Sequence, residues 1–123
     1  MFLWRKDPKE QSVEELEVSA VKGQRGAKRE LAKRFMEGKG VQRNLLLSLA
    51  HLEDCVADCD TDAMMMLAEC CALGRGTGQN RMRAERLITW AAMKGNSHAK
   101  RLIDSLSFWE TDKTLHLERL LNP

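Results

Sequence analysis

Three features of the sequence predict an all-α chain built as an antiparallel helix-pair solenoid. The first is self-similarity at an offset of 36 residues, which puts Ala27, Ala63 and Ala99 in one register. Leu31 aligns with Leu67, Ala32 with Ala68, Gly38 with Gly74, Gly40 with Gly76 and Asn44 with Asn80, without a gap. At an offset of 72, Ala20-Val21-Lys22-Gly23 falls under Ala92-Met93-Lys94-Gly95. The second feature is helical apolar spacing that alternates with glycine-containing turns. The third is negative: no useful stretch alternates with period two, so no sheet is expected.

Taken in order, Asp7-Pro8-Lys9-Glu10 reads as an N-cap, a Pro at the first helical position and a Glu closing a capping box. The helix it starts is expected over 8–22, stopping at Gly23. Apolar residues at 27, 31, 32, 35 and 36 mark a helix over 27–37, ended by Gly38. Asn44 caps a helix over 44–57, and Thr61 or Asp62 caps one over 63–73. Asn80 starts a helix over 80–94 that ends at Gly95, and Ser97 caps one over 98–106. Leu115, Leu117, Leu120 and Leu121 mark 111–121 as a closing amphipathic helix. With Phe108-Trp109 it forms the expected C-terminal cap, and Met1-Phe2-Leu3-Trp4 is the candidate cover for the other end.

Composition sets the outer bounds. A chain of 123 residues, 43% hydrophobic and 31% charged, is expected to be one soluble repeat domain over 1–123. No apolar run reaches membrane-spanning length, and Met1–Trp4 is followed at once by Arg5, Lys6 and Asp7, too soon for a signal-peptide core. The expectation is a cytoplasmic protein with no membrane partner. The four cysteines, Cys55, Cys59, Cys70 and Cys71, crowd into 17 residues and include an adjacent pair, which reads as reduced thiols.

Gly38-Lys39-Gly40-Val41-x-x-Asn44 and Ala84-x-x-Leu87-Ile88-x-Trp90-Ala91-Ala92-x-x-Gly95-x-x-x-Ala99 resemble the Sel1-like repeat, a relative of the tetratricopeptide repeat. The resemblance spans about 10–106. It departs from the family pattern where Asp54 stands at the Trp position, Cys59 at the Gly position and Thr77 after Gly76. The resemblance implies a right-handed α/α superhelical solenoid of about 2.5 helix pairs with a capping C-terminal helix. It also implies a non-catalytic adaptor or scaffold that binds a partner protein or peptide in the groove formed by the first helix of each repeat.

Residues with reactive chemistry are few. His51, Cys55 and Cys59 follow at i, i+4 and i+8 beside Asp54 and Asp58, which is a zinc-capable set if one helix carries all three. But His51 aligns with Leu87 and Cys55 with Ala91, both core positions, and Cys71 aligns with Phe35. Packed side chains account for them, so no catalytic, cofactor or metal residue is expected.

The surface is more informative. The net charge of +2 conceals an alternation. Residues 22–43 carry eight Lys/Arg against Glu30 and Glu37, 51–70 carry six acids and no base, and 75–101 carry seven Lys/Arg against Glu85. Charge pairing between units, an acidic partner and nucleic acid all fit that pattern, although no aromatics interleave with the bases as single-strand binding requires. Within the register, Met64 aligns with Lys28 and Lys100, and Met65 with Arg29 and Arg101. Positions held by cations in two units should face solvent. Lys28, Arg29, Met64, Met65, Lys100 and Arg101 are therefore the candidate lining of a partner-binding groove. The other readings are that Met64–Met66 fill a gap or are covered by the Met1–Trp4 arm. At the level of function, the alternatives to an adaptor are an inhibitor or immunity-type protein that blocks one enzyme, and a nucleic-acid-binding repeat. Self-association by stacking of solenoid ends is a further partner mode.

Overall fold

The computed structural model describes residues 6–108, the last three as backbone only. Among them a short 3-10 turn (Pro8–Glu10) precedes six α-helices and no strand appears. The helices are α1 (Val13–Val21), α2 (Ala27–Glu37), α3 (Leu45–Ala57), α4 (Thr61–Leu73), α5 (Arg81–Met93) and α6 (Ser97–Phe108). The all-α reading holds. The expected 111–121 helix, the Met1–Trp4 arm and Trp109 lie outside the described residues.

The chain divides into two compact units between Asp54 and Cys55, within α3. In the first, α1 packs on α2 around Val13, Leu16, Ala27, Leu31 and Phe35, with Ala20 and Val41 against them. The start of α3 is fastened to α2 at two points. Buried Ser48 donates its hydroxyl to the Ala32 carbonyl, and the His51 ring stacks on Phe35 at 5.9 Å between centroids. In the second unit α4 packs on α5 and α5 on α6. Ala63, Leu67, Ala68 and Ala72 meet a core that also holds Ala84, Leu87, Ile88, Ala91, Ala99 and Leu102. The small residues let helices approach while Leu and Ile fill the remaining space.

The turns repeat atom for atom, which is why the period is visible in sequence. After α2 and α4, Gly38 (φ 71°) and Gly74 (φ 74°) take the left-handed conformation that ends a helix. The chain then returns so that the Asn44 N–H donates to the Phe35 carbonyl (2.8 Å) and the Asn80 N–H to the Cys71 carbonyl (2.7 Å). Asn44 and Asn80 also cap α3 and α5 by accepting the N–H of Leu47 and Arg83. In the other turn type, the N–H groups of Gln24, Asp60 and Asn96 donate to the carbonyls of Ser19, Cys55 and Ala91.

Three element boundaries differ from expectation. The helix expected over 8–22 is two pieces. Asp7 caps the 3-10 turn, but Gln11 is extended and Ser12 begins α1 afresh in a capping box with Glu15. Gln11 explains the break: its buried amide donates to the Lys6 carbonyl and to Gln24 Oε1 and accepts from the Ser19 hydroxyl. A fully satisfied buried amide outweighs one more helical turn. Asp60, rather than Thr61 or Asp62, caps α4, accepting the N–H of Asp62 and Ala63. Asn96, rather than Ser97, accepts the Ala99 N–H at the start of α6, and its amide also donates to Thr61 Oγ1 and Asp62 Oδ1.

Candidate interaction surface

The six residues singled out by register fall into different environments. Lys100 and Arg101 on α6 are exposed, and Lys28 and Arg29 on α2 are half-buried, with Lys28 Nζ 4.0 Å from Asp54 Oδ2. Met64 is fully buried and Met65 half-buried. The expectation that both methionines face solvent is therefore corrected for Met64, while Met65 keeps part of its surface in water. Met64 belongs to a stripe with Leu67, Ala68 and Cys71, spaced i, i+3, i+4 and i+7 on one face of α4. Ala63, Cys70 and Ala72 widen that stripe until most of the helix circumference is apolar and buried. Met64 is enclosed, as both remaining readings require, and the Met1–Trp4 arm of one of them lies outside the described residues.

Exposed apolar residues occur elsewhere, and again in register. Leu46 (73% exposed) aligns with Met82 (63%), and Val21 (90%) with Met93 (80%) at twice the period. In α5, Met82, Arg86, Thr89 and Met93 follow at i, i+4, i+7 and i+11 and are all exposed, opposite the buried Ala84, Leu87, Ile88 and Ala91. The equivalent face of α3 carries Leu46, Ala50, Glu53 and Ala57, all exposed. The equivalent face of α1 carries Glu14, Glu17 and Val21, with exposed Val18 beside them. Taken helix by helix, the solvent side is acidic on α1, largely apolar on α3, and basic and methionine-rich on α5. The same sequence comparison that picked out Met64 contains these positions. Helical angle relative to the buried stripe is the signal that identifies them.

Covalent or metal chemistry has little to work with among the described residues. The four cysteines are free thiols, and no three His, Cys, Asp or Glu side chains are grouped as a metal ion requires. Helix α3 ends at Ala57, and Cys59 sits beyond it in left-handed backbone (φ 61°), so no single helix carries His51, Cys55 and Cys59. Burial pushes the Cys70 thiol up to about 11, with Glu69 adding to the effect, so it is held protonated and unreactive at neutral pH. The His51 imidazole is held below its ordinary value, first by burial against Phe35 and then by Lys28, while Asp54 and Glu17 act the other way. It is a packed neutral ring. No helix of the described residues is long and apolar enough to cross a membrane.

No protein-family model and no curated protein matches the sequence. Among solved structures, the chain is similar to the crystal structure of a Sel1 repeat protein from Oxalobacter formigenes, at a TM-score of 0.69 and 26% identity. The similarity covers 76% of this chain and 70% of that one.

Proposed function

We propose that this chain, a Sel1-like repeat protein, is a non-catalytic cytoplasmic adaptor that binds another protein. The fold supports a protein-interaction module. The observation that carries the reading further is the pair of large apolar side chains, Leu46 and Met82, repeated at one register position with most of their surface in water. A folding requirement does not place apolar side chains opposite the buried stripe of two successive repeats, whereas a contact surface does. Leu46 is the proposed anchor in the first unit. The cations first assigned to a groove, Lys28 and Arg29 on α2 and Lys100 and Arg101 on α6, are the proposed charged contacts of their own units.

The test is affinity capture from the source cell with the wild type, a Leu46→Glu variant and a Lys100→Glu/Arg101→Glu variant. All three substitutions are at exposed positions, and an acid in the first turn of α3 also suits the helix dipole, so stability should stay within about 0.5 kcal/mol. A stoichiometric protein retained by the wild type and lost with Leu46→Glu supports the reading. Loss with Lys100→Glu/Arg101→Glu alone moves the site to the first helices. Retention of nucleic acid alone, released steeply by salt, rejects the adaptor.

A further inference from the structure

Two of the exposed helix faces are complementary to each other. On α1 the face is acidic with an apolar end: Glu14, Glu17, then Val18 and Val21. On α5 it is basic with apolar ends: Met82, Arg86, Thr89 and Met93. Position by position the repeat register pairs Glu14 with Arg86, Glu17 with Thr89 and Val21 with Met93, so the same place in the fold has changed sign between the first and third helices of this type. Neither Glu14, Glu17 nor Arg86 has an ion-pair partner among the described residues. Arg86 instead lies back along its own helix, with Nη2 3.4 Å from Met82 Sδ. That arrangement presents an apolar thioether and a guanidinium side by side.

We propose that the α5 face of one molecule docks the α1 face of a second copy of this chain, the helices antiparallel. The spacing fits that direction. Glu17 and Val21 are four residues apart on α1, and Met82 and Arg86 are four apart on α5 in the reverse chemical order. An antiparallel approach therefore sets Val21 on Met82 and Glu17 on Arg86 together, and it also opposes the two helix dipoles. A parallel approach also offers a match, Glu14 on Arg86 with Val21 on Met93, but it sets the two helix dipoles side by side in the same sense, which the antiparallel approach avoids. Because two different faces meet, the contact is heterologous, and repetition yields either a closed ring or an open string. One helix laid on another buries less than the roughly 1,200 Å² of a standard interface, so the association is weak and concentration-dependent. Its charged part is screened by salt.

Sedimentation from about 10 µM to about 1 mM at low and high salt tests this, using wild type and two variants that exchange the faces. Glu14→Arg/Glu17→Thr gives α1 the basic pattern of α5, and Arg86→Glu/Thr89→Glu gives α5 the acidic pattern of α1. All four positions are exposed, and helical circular dichroism checks that each variant folds. The expected result is a wild-type average mass that rises with concentration, and at least a tenfold loss of association in either variant alone. An equimolar mixture of the two variants regains association, because each supplies the face the other lacks. A wild type that stays monomeric throughout overturns the proposal. So does self-association that ignores both exchanges, or a mixture no better than its parts. The capture experiment on Leu46→Glu does not touch these residues, so either result stands without the other.

Discussion

Helices α2 and α4 hold the same place in the repeat, with identical residues at three of their register positions, and they live in different surroundings. Ala27, Leu31 and Ala32 on α2 match Ala63, Leu67 and Ala68 on α4, and all six are buried. Between those matches the helices diverge. On α2, Glu30 and Arg34 form an ion pair at 2.9 Å with 12% and 7% of their side chains exposed. The same positions on α4 are Met66 and Cys70. Lys28 on α2 keeps 39% of its side chain in water, where Met64 on α4 keeps none. The repeat specifies where a helix lies and which residues must be small. It leaves open how much of the remaining circumference meets protein, and each helix answers with its own chemistry.

Exchanging residues across that register separates the two cases. The largest effect is expected for Met64→Lys, which puts an ammonium into a site without water. It should lower unfolding free energy by about 4 kcal/mol in urea titration, through desolvation and lost packing together. The reciprocal Lys28→Met should cost no more than about 0.5 kcal/mol, because its 4.0 Å contact with Asp54 is exposed and weak. Similar costs for the two exchanges would mean that α2 and α4 are equally enclosed.

The buried pair comes next. Arg34 donates from Nε to Glu30 and from Nη2 to the Lys9 carbonyl (3.0 Å), so it ties α2 to the 3-10 turn as well as neutralising Glu30. Arg34→Ala should cost about 3 kcal/mol, mostly because it strands a nearly buried carboxylate. Copying the α4 solution whole, as Glu30→Met/Arg34→Cys, should recover part of that loss, since it leaves no carboxylate without a counterion, while cysteine leaves much of the arginine's volume unfilled. A double variant less stable than Arg34→Ala would show that the tie to Lys9 outweighs the ion pair.

These contrasts also mark what the sequence could and could not disclose. The turn geometry was legible, because positive φ admits glycine and the orphan N–H groups of a helix start favour Asn or Asp, so identical backbone demands leave identical letters at 38 and 74 or 44 and 80. The break at Gln11 was not, since an amide satisfied by Lys6, Ser19 and Gln24 depends on contacts from three segments. Met64 was misjudged for a related reason. Cations at Lys28 and Lys100 report the exposure of their own helices, and exposure is a property of what surrounds a helix. The alternating α1 and α5 faces could have been found from the register and the helical angle together, as neither requires knowledge of a distant contact.

The last exchange across the register isolates the backbone from everything else. Gly23, Cys59 and Gly95 occupy one register position, and all three have positive φ, at 82°, 61° and 99°. Cys59 is the described non-glycine residue that adopts such a conformation. Its side chain crowds its own carbonyl there, at a cost of about 1–2 kcal/mol, part of which is offset because a glycine has more freedom to lose on folding. Cys59→Gly should therefore stabilise the protein by about 0.5–1 kcal/mol in thermal or urea unfolding. Gly95→Ala is the mirror experiment. A Cβ added at Gly95 would meet nothing within 4 Å, so any loss must come from φ and not from a clash. It should destabilise by about the same amount, and a neutral result at Gly95 would mean that this turn relaxes its dihedral. A neutral Cys59→Gly paired with a costly Gly95→Ala would instead show that the exposed Cys59 thiol contributes a contact of its own. The register would then be conserving a conformation at one end of the chain and a side chain in the middle.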